Sequence, residues 1–232
     1  MTVWAISDLH LSLASSDSRE QYAARWRDHA IKIARNWDQV VGRNDLVLIP
    51  GDISMALNHR QVQPDLAWLD RRPGLKVLSP GNHDGWFGEV GKLRSMLRPS
   101  VKAVRNDAIE VAGAIVCGCL GADVPTEDDP VAGSGEELER VAVALDLAMK
   151  LRRPGQPLYV LWHYPPIDQL GRPGPWVELF EKHQVDVCVY GHLHIEEQWS
   201  RAVQGRVGSV RYYCVAADAV GFRPLKVGTL ED

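Results

Sequence analysis

Short β-rich runs in this chain keep ending in side chains that can bind metals. Val3–Ser7 leads into Asp8-Leu9-His10, Leu46–Pro50 into Gly51-Asp52, and Lys76–Pro80 into Gly81-Asn82-His83-Asp84. Leu158–Trp162 ends at His163, and Val185–Tyr190 ends at Gly191-His192-Leu193-His194. Nearly unbroken apolar runs of this length read as strands buried on both faces, and the helical patterns between the early ones predict α/β alternation. In an open α/β sheet the loops beyond the carboxyl ends of the strands converge on one crevice. Residues far apart in sequence are therefore expected to meet in space.

Taken singly, each group has an ordinary explanation. An Asp after a strand often caps a helix, and an isolated His is usually a packing residue. Together they resist it, because five of the eight histidines stand at strand ends beside two Asp and an Asn, all good ligands for a borderline divalent ion. Glycines 51, 81 and 191 let the backbone turn sharply next to these side chains. The donors outnumber the needs of one four-coordinate ion, and two metals sharing a carboxylate fit them better.

The rest of the 232-residue chain reads as one domain, residues 1–232, with no internal repeat or linker. Gly113 between Ala108–Ala112 and Ala114–Leu120, and Gly208 between Val203–Val207 and Ser209–Val215, predict hairpins, so the sheet content is mixed. The clearest helix spans about Arg19 to Val41, with Tyr22, Trp26, Ala30, Ile33, Trp37 and Val40 forming a core stripe. His29 borders that stripe and reads as a hydrogen-bonded packing histidine. Further helices are expected over Asp65–Arg71, Glu89–Leu97 and Glu136–Leu151, the last preceded by a capping box from Ser134 to Glu137. Cys117 and Cys119 share one face of a strand; with Cys188 and Cys214 they read as buried, reduced residues without chemistry.

A formal net charge of -4 leaves no global positive field for a polyanion, which disfavours nucleic acid as a partner without excluding it. No segment approaches 18 unbroken apolar residues, and the N-terminus lacks a basic stretch followed by an apolar one. The expectation is a cytoplasmic protein with no membrane partner. Nothing in the sequence sets its oligomeric state.

The five blocks Asp-x-His, Gly-Asp, Gly-Asn-His, a lone His and Gly-His-x-His, in this order, resemble the calcineurin-like metallophosphoesterase superfamily. The stretches Ala5–Ser12, Ile49–Ser54, His163–Pro166 and Tyr190–His194 look like its branch of compact bacterial phosphohydrolases. That likeness extends to Ala217-Asp218 and Phe222-Arg223-Pro224. It implies a four-layer α/β/β/α sandwich around two mixed β-sheets. It also implies that Asp8, His10 and His194 hold one metal, that Asn82, His163 and His192 hold a second, that Asp52 bridges them, and that His83 stands by the substrate as the catalytic acid. The cofactors would be two divalent transition-metal ions (manganese, iron, zinc or cobalt, with manganese favoured).

The implied reaction is direct hydrolysis of a small phosphoester by a metal-bridging hydroxide, with two cations about 3.5–4 Å apart clamping the phosphoryl oxygens. Small or nucleotide-like phosphodiesters are the expected substrates. Monoester or pyrophosphate hydrolysis, a nuclease, and a non-catalytic metal-binding scaffold are the alternatives. Asp84, Trp86, Tyr164 and Arg172 are expected at the substrate rim because they sit in or follow the ligand loops. Two departures stand out. Met55 occupies the position where much of the superfamily has an acid that orients the catalytic histidine, leaving Asp84 or Ser54 to hold His83. The arginine that protein Ser/Thr phosphatases carry after the second block is also missing, which disfavours that activity.

Overall fold

The computed structural model describes residues 1–14, 24–126 and 135–230. Two mixed sheets stack face to face, each covered on its outer side by helices. The first sheet contains β1 Thr2–Ala5, β2 Leu46–Pro50, β3 Leu75–Ser79, β4 Val101–Ala103 and β11 Leu225–Thr229, in the order β11-β1-β2-β3-β4. Its four early strands are parallel, and β11 closes the far edge antiparallel to β1. The second sheet contains β5 Asp107–Val111, β6 Ala114–Cys119, β7 Leu158–Trp162, β8 Val187–Tyr190, β9 Gly205–Val207 and β10 Val210–Cys214, in the order β5-β6-β7-β8-β10-β9. Both expected hairpins form as its outer antiparallel pairs.

Side-chain alternation along each strand sorts the core into three layers. Val3, Ala5, Leu46, Leu48 and Val77 of the first sheet meet Val116, Tyr159, Leu161, Val187 and Val189 of the second. Their neighbours Val47, Ile49 and Leu78 point the other way, toward α1 His29–Val40, α2 Gln63–Asp70 and α3 Val90–Met96. Ile115, Cys117, Val160 and Tyr190 face α4 Gly135–Leu151 and α5 Trp176–Lys182. The architecture is the expected α/β/β/α sandwich. All four cysteines are free and buried in this second outer layer.

The first helix differs from expectation. It begins at His29, after a short 3-10 turn at Ala24–Trp26, because Asp28 adopts a left-handed backbone (φ 56°) that breaks the helical path. Trp26 still joins the core; Tyr22 and the earlier part of the expected helix lie outside the described residues, as does Ser134 of the capping box. His29 is buried, with Nδ1 3.0 Å from the carbonyl of Trp26 and Nε2 3.2 Å from that of His10, so it is a packing residue. No helix among the described residues is long and apolar enough to cross a membrane.

Candidate metal centre

The parallel strands β1, β2 and β3 in one sheet and β7 and β8 in the other all end at the same edge of the sandwich. Asp8, His10, Asp52 and Asn82 reach it from the first sheet; His163, His192 and His194 come from the second. The chain leaves these strands by tight, partly left-handed turns: φ is 56° at Asp8, 42° at His10, 50° at Asp52 and 70° at His192. Such backbone is costly for residues other than glycine, and it persists only where the surroundings hold it. Loop-to-loop hydrogen bonds do so here, from the N–H of Asp8 to the carbonyl of Gly51, of His10 to Asp52 and of Leu11 to Ile53.

The three motif glycines interlock the loops. A Cβ on Gly51 would lie 2.6 Å from His163 Nδ1, on Gly81 2.2 Å from Asp52 Oδ1, and on Gly191 2.0 Å from Asp8 Oδ2. Each glycine thus makes room for a functional side chain that another loop supplies.

Asp8, His10, Asp52 and His194 each offer a donor atom within 4.8 Å of the others' donors. His194 Nε2 is 3.2 Å from Asp8 Oδ1 and 3.3 Å from His10 Nε2, which in turn is 3.6 Å from Asp52 Oδ2. His163 Nε2 is also 3.6 Å from the same Asp52 oxygen. Asn82 Oδ1 sits 2.8 Å from that nitrogen and 3.1 Å from His192 Nδ1. Asp52 Oδ1 accepts the backbone N–H of His83 at 2.8 Å.

The proton positions on His163 argue for a cation. Its Nδ1 lies 3.0 Å from the Pro50 carbonyl, a pure acceptor, so Nδ1 carries the hydrogen. In the neutral ring Nε2 is then a lone pair aimed at two more acceptors, Asp52 Oδ2 and Asn82 Oδ1. Lone pairs converging in this way are satisfied by a metal ion, and mixed His, Asp and Asn donors suit a divalent transition metal. Burial opposes ionisation of Asp8, yet the neighbouring His194, His163 and His10 hold its carboxyl far below the usual carboxylate range. Burial and His163 push His192 down, toward the neutral, ligating form.

Other expected residues divide. Tyr164 stands at the edge of the cluster, its ring 4.4 Å from that of His192. His83 is exposed and its ring lies edge-on to His10, centroids 5.3 Å apart. Asp84 and Trp86 are not rim residues: both are buried, and Asp84 accepts N–H groups from Ile53, Ser54, Gly81 and the Trp86 indole. Burial and the Asp52 charge push the Asp84 carboxyl up, against those donors. With Asp84 so engaged and Ser54 Oγ donating to Asp65 at 2.5 Å, neither expected partner holds the His83 ring. Arg172 is exposed and its guanidinium is committed to Asp168 at 2.6 Å. Met55 faces His10, with its sulfur 3.3 Å from Nδ1.

Sequence reasoning assigned no role to Asp218, whose Oδ1 is 3.2 Å from His194 Nδ1, or to Arg25, which ion-pairs with Asp218 at 2.9 Å and donates to the His194 carbonyl. The only signal for Asp218 was its place just after a β-run in the part of the chain that resembles the phosphohydrolase branch.

Comparison with known proteins agrees with this geometry. Two curated relatives, both called Gene 66 protein, come from the Mycobacterium phages D29 and L5, with 43% and 40% identity over 82 residues. Those stretches are 35% of this chain and span only 40% and 39% of the phage proteins' length. Among solved structures, one from Thermus thermophilus superposes with a TM-score of 0.61 at 12% identity, covering 97% of both chains. The phosphopantetheinyl hydrolase of Mycobacterium tuberculosis gives 0.57 at 19% identity, over 93% of this chain and 88% of that one. A protein of unknown function from Aquifex aeolicus gives 0.52 at 17%, over 97% and 94%. These likenesses show the fold. The model of the calcineurin-like phosphoesterases matches residues 1–196, which include every residue of the cluster, and the chain belongs to that family.

Proposed function

We propose that this protein is a binuclear metal-dependent phosphoesterase acting on small or nucleotide-like phosphodiesters. The observation that carries the reading is that one oxygen, Asp52 Oδ2, lies 3.6 Å from both His10 Nε2 and His163 Nε2. Asp8, His10 and His194 would hold one ion and Asn82, His163 and His192 the other, with Asp52 shared. When bound, such a pair activates water near neutral pH and stabilises the charge that builds up during in-line displacement at phosphorus.

The chain's own residues supply the remainder. His163 is fixed as the Nδ1–H tautomer by the Pro50 carbonyl, which aims its other nitrogen at the shared carboxylate. His83, exposed beside His10, would protonate the departing oxygen. Tyr164 borders the open side of the cluster next to His192. No arginine lies within the five metal-binding blocks, and Arg25 beside the cluster is ion-paired with Asp218. That favours the lower charge of a diester over a monoester.

Protein stripped with chelator and reloaded separately with manganese, zinc, iron or cobalt tests this. Bis(p-nitrophenyl) phosphate should be hydrolysed with a higher kcat/KM than p-nitrophenyl phosphate, with manganese the most effective and two ions bound per chain. Faster monoester turnover under every metal would overturn the diester preference, and full activity with one ion would overturn the pair.

A further inference from the structure

We propose that Asp218, held by Arg25, is a positioning residue that fixes His194 for metal binding. This rests on the reading of the cluster as a metal centre and assigns work to two residues outside the donor set. His194 is the last ligand of the Gly-His-x-His block and sits in a loop after β8, half-buried rather than packed on all sides. Its Nε2 points at Asp8 Oδ1, 3.2 Å away. A ring on such a loop needs a second hold, and Asp218 provides it from behind: Oδ1 lies 3.2 Å from Nδ1, and the carboxylate side chain is fully buried. A carboxylate there keeps the hydrogen on Nδ1, leaves the Nε2 lone pair facing the cluster, and makes the imidazole a stronger donor.

Arg25 completes the arrangement. It lies in the 3-10 turn before α1, and its guanidinium ion-pairs with the other Asp218 oxygen, at 2.9 Å, and donates to the backbone carbonyl of His194. One arginine thus fixes the carboxylate and the loop that the carboxylate serves. The adjacent Trp26 ring backs the same histidines, at 5.6 Å from the His194 ring and 5.7 Å from that of His10. His163 Nδ1 meets a backbone carbonyl and His10 Nδ1 a thioether. Asp218 stands behind His194, which belongs to the first ion's donor set. Removing Asp218 should therefore affect one ion and spare the other.

The experiment is a calorimetric titration of the metal-free protein with manganese, alongside thermal melting of the same metal-free samples. Asp218→Ala should weaken one binding step about 10–100-fold, the usual cost of losing such a partner, and leave the other within about twofold. Arg25→Ala should weaken the same step by less and, in the Asp218→Ala background, have only the smaller residual effect of losing its bond to the His194 carbonyl. Unchanged binding in Asp218→Ala, or equal weakening of both steps together with a lower metal-free melting temperature, would make Asp218 a packing residue and overturn the proposal. If Asp218→Ala does not fold, Arg25→Ala decides, because its side chain is partly exposed: selective weakening of one step supports the proposal and unchanged binding overturns it. Should the wild type bind a single ion, the binuclear reading fails, whereas weaker binding of that ion in both variants still supports the role of Asp218.

Discussion

Gly191→Ala adds one methyl group at the point where the two sheets' ligand loops touch. The backbone at Gly191 is not left-handed, so alanine meets no conformational penalty and the effect is one of space. The new Cβ would stand 2.0 Å from Asp8 Oδ2 and 2.1 Å from Ser7 Oγ, and reaching ordinary contact at 3.4 Å requires the carboxylate to retreat by about 1.4 Å. It has little freedom to do so. Asp8 is fully buried, accepts the backbone N–H of His192 at 3.1–3.2 Å and the Ser7 hydroxyl, and its other oxygen faces His194. Overpacking of this kind costs about 1–3 kcal/mol of stability. Misplacing a catalytic group by about 1 Å costs about 10²-fold in rate. Gly191→Ala should therefore melt a few degrees lower but remain folded, while kcat/KM for bis(p-nitrophenyl) phosphate falls at least about 10²-fold and metal content after desalting drops. Gly135→Ala, at an exposed helix start where a Cβ meets nothing within 4 Å, serves as the control and should keep wild-type activity. Wild-type turnover and metal content in Gly191→Ala would show that the Asp8 loop yields freely, which would refute the interlocking argument.

Three further outcomes are expected. Asp52→Asn should weaken both ions together, because the shared carboxylate loses its charge; retention of two tightly bound ions by elemental analysis, with full activity, would rule out the bridge. His83→Ala should keep the metals and lose about 10²–10⁴-fold in rate on alkyl or nucleoside leaving groups, but less on nitrophenolate, which needs no proton; an equal loss on both, or release of a metal, would place the acid elsewhere. Lys76 is buried, its ammonium donates to the carbonyls of Arg72 and Gly74 at 2.8 Å each, and burial pushes it down to about 8 from 10.5. The unfolded chain thus binds the extra proton between those values, so stability rises with pH there. Wild type should gain up to about 3 kcal/mol on Lys76→Met between pH 8 and 10.5 in urea unfolding of chelated protein, and a pH-independent difference would contradict this.

The strand ends were legible because buried parallel strands are nearly pure apolar runs, so the polar residue that stops each run marks the active edge. The hairpins at Gly113 and Gly208 were legible for the opposite reason, a glycine isolated between two β-runs. The start of α1 was not. The three- and four-residue spacing from Tyr22 to Val40 does not register that Asp28 takes a left-handed backbone. At three residues β4 is too short to carry a periodic signal, and β11 is interrupted by Gly228, which packs against the Tyr159 hydroxyl. The rim assignments of Asp84 and Trp86 failed because closeness in sequence to Asn82 says nothing about direction: the turn that presents Asn82 outward sends these two inward. Asp218 was unreadable for a related reason, as its partner is 24 positions upstream in a different loop.

The division of the candidate donors between two sheets would make a metal-loaded centre a fastener as well as a site. Asp8, Asp52 and Asn82 ride on one sheet and His163, His192 and His194 on the other, with interdigitated apolar side chains between the layers. Sliding one sheet over the other by a single residue, about 3.3 Å along the strand, would carry one half of the donor set out of reach of the other. Metal bound across both halves would oppose that slide, and its binding energy would add directly to the stability of the stacked state. Chelation should therefore loosen the seam between the sheets first, exposing the amides of β2 and β7 to hydrogen exchange ahead of those in the helices that cover the outside.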